Sequence, residues 1–449
     1  MSEWIDAETR VRRAHRLYEQ GRWVEAAAEL RAAIDVNPVN PSWHFNLGVT
    51  FEAMEDYARA CAAFQEVIKR DPRDIEAMNC LGVNMTRLGQ YSEALKQFER
   101  VVKISPRYEP AYCNRIVTYT QMEDYENAEL MFYLARQIKP ACPLCYYNIG
   151  HTMYLREEYE RAIDCWKQTL KLDPEHPDAN LRIAESYWEI EDYPKSQQHY
   201  LIELSMSNED SEVLVDYGEL LTDMEEYDEA QRVLNKAIEK NPDSAMAHCC
   251  LGELAIEQHR FEVALQEFKL AYELDKDLPT IQMCIGEALI EMNRPKEAMK
   301  YLLIELKHAV DEPDMLIPLA DLFQRAGRPY EGHIALSRAA ELSPKDWENL
   351  HELAVSYFKM NKFTEGINLC RRVLKLHPDY PPTLYNLALA YHKLDMPHRA
   401  RRYASRALTA DPKEPRIHAL CKYLGLWNLK TTVKDWLRSR KKARKLLLK

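Results

Sequence analysis

Cys142-Pro-Leu-Cys145 is the short motif with the most obvious chemistry, because two thiols at this spacing make half a zinc site or a redox pair. No second pair follows at zinc-ribbon spacing. Cys80, Cys113, Cys249, Cys250 and Cys284 show the chain using cysteine as a small packing residue, so neither a metal nor a cofactor is expected. His351-Glu352 lacks the second histidine of a zinc-protease helix, and nucleophile elbows and phosphate loops are absent, which argues against an enzyme. Carboxylates form a more distinctive pattern. Glu185 and Glu189, Glu219 and Asp223, Glu253 and Glu257, and Glu287 and Glu291 are pairs four residues apart that recur every 34 residues. On a helix each pair shares one face, and such like-charged neighbours cost about 0.2–0.5 kcal/mol. A ladder of this kind suits a Lys/Arg-rich partner. The chain carries its own basic run in Arg438, Arg440, Lys441, Lys442, Arg444 and Lys445.

The elements that position these groups must be helices. Only 12 glycines occur in 449 residues, too few for a sheet with many tight turns, while the 46% hydrophobic and 29% charged content suits a helical protein. Formal charge is -11. From Lys430 to Lys449 nine Lys/Arg oppose only Asp435, a local +8, so the preceding body carries -11 - 8 = -19. No stretch resembles a signal peptide or a membrane span, and eleven cysteines on irregular spacings fit reduced thiols, so a cytoplasmic protein is expected.

A 34-residue period runs through the chain. Pro38, Pro72, Pro106, Pro140, Pro174, Pro242, Pro344, Pro378 and Pro412 keep one register, broken at Asn208, Lys276 and Val310. A second register, from Ala26 and Ala60 through Ser196 to Gly332, Gly366 and Ala400, is small at all twelve places. Large residues recur one helical turn later, as in Phe64, Phe98, Phe132, Trp166, Tyr200, Leu234 and Phe268. Small residues at facing points let two short helices approach, large ones fill the remaining volume, and proline ends the second helix. Each unit reads as helix, turn, helix.

This pattern closely resembles the tetratricopeptide repeat family, with Leu47, Gly48, Phe51, Tyr57, Ala60, Phe64 and Pro72 in phase in the best-matched unit. The resemblance implies an all-α, right-handed superhelical α-solenoid. The expected organisation is a leader over 1–6 and twelve repeats over 7–414, beginning at 7, 41, 75, 109, 143, 177, 211, 245, 279, 313, 347 and 381. A capping helix over 415–437 and a basic tail over 438–449 follow. Glu203 and Glu305 stand where the family carries a small residue, and Pro313 and Pro318 follow Val310, so those joints are candidates for looser stacking or a bend.

The resemblance also implies which columns face the concave groove: the second, fifth, sixth, ninth, twelfth and thirteenth places of each repeat. The eight paired acids occupy the ninth and thirteenth. Earlier repeats place Asn46, Asn114 and Asn148 in the sixth column with Tyr147 beside them, and an amide there can hydrogen-bond an extended peptide. A carboxylate-clamp specialisation is not expected, because Cys113, Val117 and Asp178 replace the residues it requires. The expected function is a non-catalytic scaffold binding a protein or peptide with a basic segment, or its own tail. Alternatives are a substrate-selecting regulatory subunit of an enzyme complex, or an adaptor using the tail on a membrane surface or nucleic acid.

Overall fold

The computed structural model describes residues 2–309 and 312–426. Among these residues it places twenty-five α-helices and no strand, numbered in chain order from α1 (Ser2–Glu19) to α25 (Pro415–Tyr423). The first twenty-four pair in sequence order, consistent with the expected repeats, and the architecture is an all-α solenoid of helix-turn-helix pairs. The chain divides into two compact units, 1–220 and 221–449.

One pair shows how the sequence builds the others. Asn40 accepts the Ser42 N–H at 3.0 Å and Pro41 takes the first helical place, starting α3 (Pro41–Ala53). Glu55 then adopts a left-handed φ of 57°, and the Asp56 N–H returns to the Phe51 carbonyl at 2.9 Å. Asp56 itself accepts the Arg59 N–H at 3.0 Å, starting α4 (Tyr57–Arg70). The fifteenth place of all twelve frames is left-handed, with glycine only at Gly21, Gly89 and Gly327.

Packing within each unit follows the registers. In the first, a Cβ on Gly82 would lie 2.6 Å from the Phe98 ring and one on Gly150 2.6 Å from Trp166 Nε1. Phe64, Phe98 and Trp166 are wholly buried. In the second, Phe268 and Leu302 fill the space left by Gly252 and Gly286. Ser196 departs from the alanine register without penalty, because its buried hydroxyl donates to the Ala184 carbonyl at 2.8 Å.

Glu203 and Glu305, the acids at small-residue places, are both buried. In the first unit α11 (Ala179–Glu189) begins two residues later than usual, after Asp178 at φ 63° without a side-chain cap. Glu203 is buried on α12 (Tyr193–Met206), and the backbone N–H of Leu181 near the start of that shortened helix offsets part of the effect of burial on its carboxyl. The second unit repeats the arrangement: α17 (Ile281–Glu291) follows left-handed Thr280, and the backbone N–H of Met283 offsets a small part of the effect of burial on Glu305 of α18 (Pro295–His308). Burial raises both carboxyl pKa values above the usual range. For Glu203 such a raised value means that stability is fully present below the unfolded pKa and is lost as pH rises through the folded one. Glu203→Gln keeps an acceptor and removes the charge, so its stability relative to the parent is expected to rise between pH 4 and pH 8. Denaturant melts at both pH values check this.

Residues 2–6 form the start of α1, continuous with Ala7. The helix α19 (Pro313–Arg325) runs through Pro318, which is exposed. In the expected capping segment α25 ends at Tyr423, Gly425 turns left-handed at φ 75° and the Leu426 N–H closes back on Cys421 at 2.8 Å. Within that helix Ile417, Leu420 and Cys421 are buried. Residues 427–437 and the basic tail, with Arg438, Arg440, Lys441, Lys442, Arg444 and Lys445, lie outside the described residues.

Candidate functional site

In the first unit the helices that open the pairs are α5 (Ile75–Arg87), α7 (Glu109–Gln121) and α9 (Pro143–Leu155), and they line a groove of about 540 Å³. Val83, Val117 and Leu144 give it an apolar wall, Asn114 and Asn148 give amides, and Arg87 gives one cation flanked by Tyr57 and Tyr91. Arg87 donates to the Tyr57 hydroxyl at 3.1 Å and its guanidinium lies 5.2 Å from that ring centroid. Asn114 donates to Asn79 at 3.0 Å, and Asn148 donates to the Cys113 carbonyl at 3.4 Å. The structure thus brings two of the three expected asparagines together. Asn46 is exposed outside this groove, and Tyr147 is engaged elsewhere, stacked on His176 at 4.6 Å. Sequence reasoning missed Arg87, Val83 and Gln121, although they occupy the same columns as the acids found further along.

The acids form two groups, one in each unit. In the first, Glu185 accepts from Arg182 at 2.9 Å and Glu189 from the Tyr154 hydroxyl at 3.2 Å. Glu185 has a raised pKa because burial outweighs the Arg182 guanidinium. Asp216, on α13 (Ser211–Asp223), joins this group unexpectedly: it holds the sixth column, which the sequence reading searched only for asparagine. Burial, then Glu185, Glu219 and Glu212, push its carboxyl up to about 7 against the opposing pull of Arg182. Glu219 on the same helix is exposed.

In the second unit, Glu253 and Glu257 lie one turn apart on α15 (Ala245–Glu257), half-buried and exposed respectively. Burial, Asp223 and Glu287 raise the Glu253 pKa. Glu287 and Glu291 are not vacant. Arg325 of α19 reaches across to both, with Nη1 3.0 Å from Glu287 and Nη2 on Glu291, and also lies 3.8 Å from Asp321. A carboxylate pair in the ninth and thirteenth places is therefore matched to the fork of one guanidinium.

Tetratricopeptide repeat family models match residues 11–75 and 218–279, residues 75–108 and 143–176, and residues 357–422. A model for YpiA-like C-terminal tetratricopeptide repeats matches residues 177–244. The chain belongs to the tetratricopeptide repeat family. No curated protein matches it. Among solved structures, it is similar to yeast Tom70 at 12% identity and a TM-score of 0.45, covering 98% of this chain and 99% of that one. It is similar also to the anaphase-promoting-complex hetero-tetramer Cut9-Hcn1, at 14% identity and 0.43, covering 92% and 95%. A thermophilic tetratricopeptide repeat protein of Thermus thermophilus matches at 23% identity and 0.38, covering 40% and 99%. No described helix is long and apolar enough to cross a membrane.

Tetratricopeptide packing places the starts of successive opening helices side by side, and here this produces a cluster that the sequence reading treated as packing. Glu109 and Cys113 lie one turn apart at the start of α7, while Cys142 and Cys145 are the cap and third residue of α9. The Cys142 sulfur accepts the Cys145 N–H at 3.4 Å, and the Cys145 thiol donates to Glu109 at 2.8 Å. Hydrogen bonding from Cys113 outweighs burial and lowers the Cys142 thiol to about 7. Cys113 is correspondingly raised, first by its bonds to Cys142 and Cys145. The cysteine pair thus has the third thiol that the linear spacing did not reveal.

Proposed function

We propose that the chain is a non-catalytic protein-interaction scaffold whose acidic columns receive the arginines and lysines of an extended or helical partner segment. The observation that carries this reading is Arg325 held between Glu287 and Glu291, because an arginine supplied by the chain itself marks the ligand chemistry that such a pair accepts. Glu253 and Glu257 repeat the pair, and no cation among the described residues pairs with them. Like-charge crowding around Asp216 and Glu253 is relieved by an incoming cation, so part of the binding free energy is stored in the free protein. The amide and tyrosine groove is the complementary surface for a peptide backbone. The eleven free cysteines support a reducing, cytoplasmic setting.

Anisotropy of a fluorescent arginine-rich peptide, titrated across salt and pH, tests the reading. Affinity is expected to fall as salt rises, and to increase from pH 6 to pH 8 as the Asp216 carboxyl ionises near 7 while the peptide arginines stay charged. Asp216→Asn flattens that pH dependence. The same raised pKa means that the stability associated with Asp216 is present below about 3.8 and lost as pH rises through about 7. The variant is therefore also expected to be more stable than the parent at pH 8, by about 1–2 kcal/mol after allowance for partial exposure. Salt-independent peptide binding, or no binding at all, overturns the acidic-column reading. Tail deletion from Arg438 to Lys449 is expected to strengthen binding if that segment competes for the same acids.

A further inference from the structure

We infer that Glu109, Cys113, Cys142 and Cys145 form a structural Zn²⁺ site joining the starts of α7 and α9. Their three sulfurs and one carboxylate oxygen all lie within 4.8 Å of one another. Cys113, Cys142 and Cys145 are only 1%, 4% and 1% exposed, so the donors converge in the interior rather than on a chance surface patch. Four-coordinate zinc with bonds near 2.3 Å needs sulfur separations of about 3.8 Å, a small contraction of the observed cluster.

Three thiolates and a carboxylate complete a closed tetrahedral set of the kind that favours structural zinc over magnesium or calcium. The backbone is prepared for it. Both ligand pairs sit at helix N-termini, where the dipole favours negative charge, and the Cys145 N–H already points at the Cys142 sulfur at 3.4 Å. Asn148, whose amide reaches the Cys113 carbonyl at 3.4 Å and its sulfur at 4.0 Å, ties the cluster to the groove as an outer-shell donor. Binding converts three thiols, one carboxylate and Zn²⁺ into a complex of net charge -2 and releases three protons to solvent. No electron is transferred. In the second unit Cys249, Glu253 and Cys284 also converge, but with one ligand fewer, and that group serves as the internal comparison.

The test uses the full-length chain, without a metal-binding tag, purified from zinc-supplemented culture. Elemental analysis is expected to find one zinc per chain. Replacement by Co²⁺ gives the absorption of a tetrahedral thiolate complex. Cys142→Ser and Cys145→Ser each weaken zinc by about 100-fold and Glu109→Gln by about tenfold, while the Cys249→Ser, Cys284→Ser double variant retains full occupancy. Far-UV circular dichroism establishes that each variant is folded. The inference fails if the folded parent holds less than about one-tenth equivalent of zinc after equilibration with micromolar Zn²⁺. It also fails if zinc survives both serine substitutions or disappears with the Cys249 and Cys284 pair. Because the parent is itself measured, a misfolded variant cannot rescue the idea.

Discussion

Arg325→Ala is expected to tighten binding of an arginine-rich peptide by about fivefold, and Glu253→Lys with Glu257→Lys to weaken it by more than about tenfold. The opposite signs separate a specific clamp from general attraction to an acidic protein. Removing any surface cation makes the protein more negative, but among the described residues only Arg325 bridges a ninth- and thirteenth-place pair, with Glu287 at 3.0 Å and Glu291 on its other nitrogen. All three side chains are about one-third exposed, so the internal pairing is worth little in water and a peptide can replace it. Arg328→Ala, which removes a contact to Glu331 on the following helix, provides a charge-matched control with little expected change. Equal effects from Arg325→Ala and Arg328→Ala mean that net charge alone governs binding and no carboxylate pair acts as a receptor.

The largest effect on stability is expected from Trp166→Ala, about 3–5 kcal/mol, against about 1 kcal/mol for Trp166→Phe. Trp166 is wholly buried on α10 (Tyr159–Leu172), fills the space facing Gly150, and donates through Nε1 to the Tyr147 carbonyl at 3.1 Å. Alanine loses both the volume and the hydrogen bond. Phenylalanine already occupies the matching place at Phe64, Phe98 and Phe268, so that variant loses mainly the bond. In a stacked array each pair depends on its neighbours, and a single melting temperature blurs the damage. Hydrogen exchange resolves it: protection should collapse across 143–172 in the alanine variant and persist in the phenylalanine one. Equal loss in both variants identifies the Nε1 bond, rather than ring volume, as the dominant contribution.

These cases also show what linear order reveals. Trp166 and the small places opposite it were legible because a 34-residue period repeats the same steric problem, which fixed helix type, pairing and the burial of Ala26, Ala60 and Ser196. The acidic pairs were legible as faces of helices, but the occupation of one pair by Arg325 was not, because the partners belong to different repeats. Glu203 and Glu305 stood out as breaches of the small-residue pattern. Each packs beside a helix that begins two residues late, and propensity at one position does not report that. Cys113 was hidden for a related reason: only stacked helix starts bring it to Cys142 and Cys145.

The left-handed fifteenth place bears on how such a protein can change. Nine of the twelve turns place Glu, Asn, Asp or His in a backbone state that costs a side chain about 1 kcal/mol and glycine much less. Because the turns are far apart, substitutions at them combine nearly additively. A lineage can therefore recover stability by drifting toward glycine in any turn, and so tolerate costly innovation in its recognition surface. The hairpin bends act as mutational ballast for partner choice.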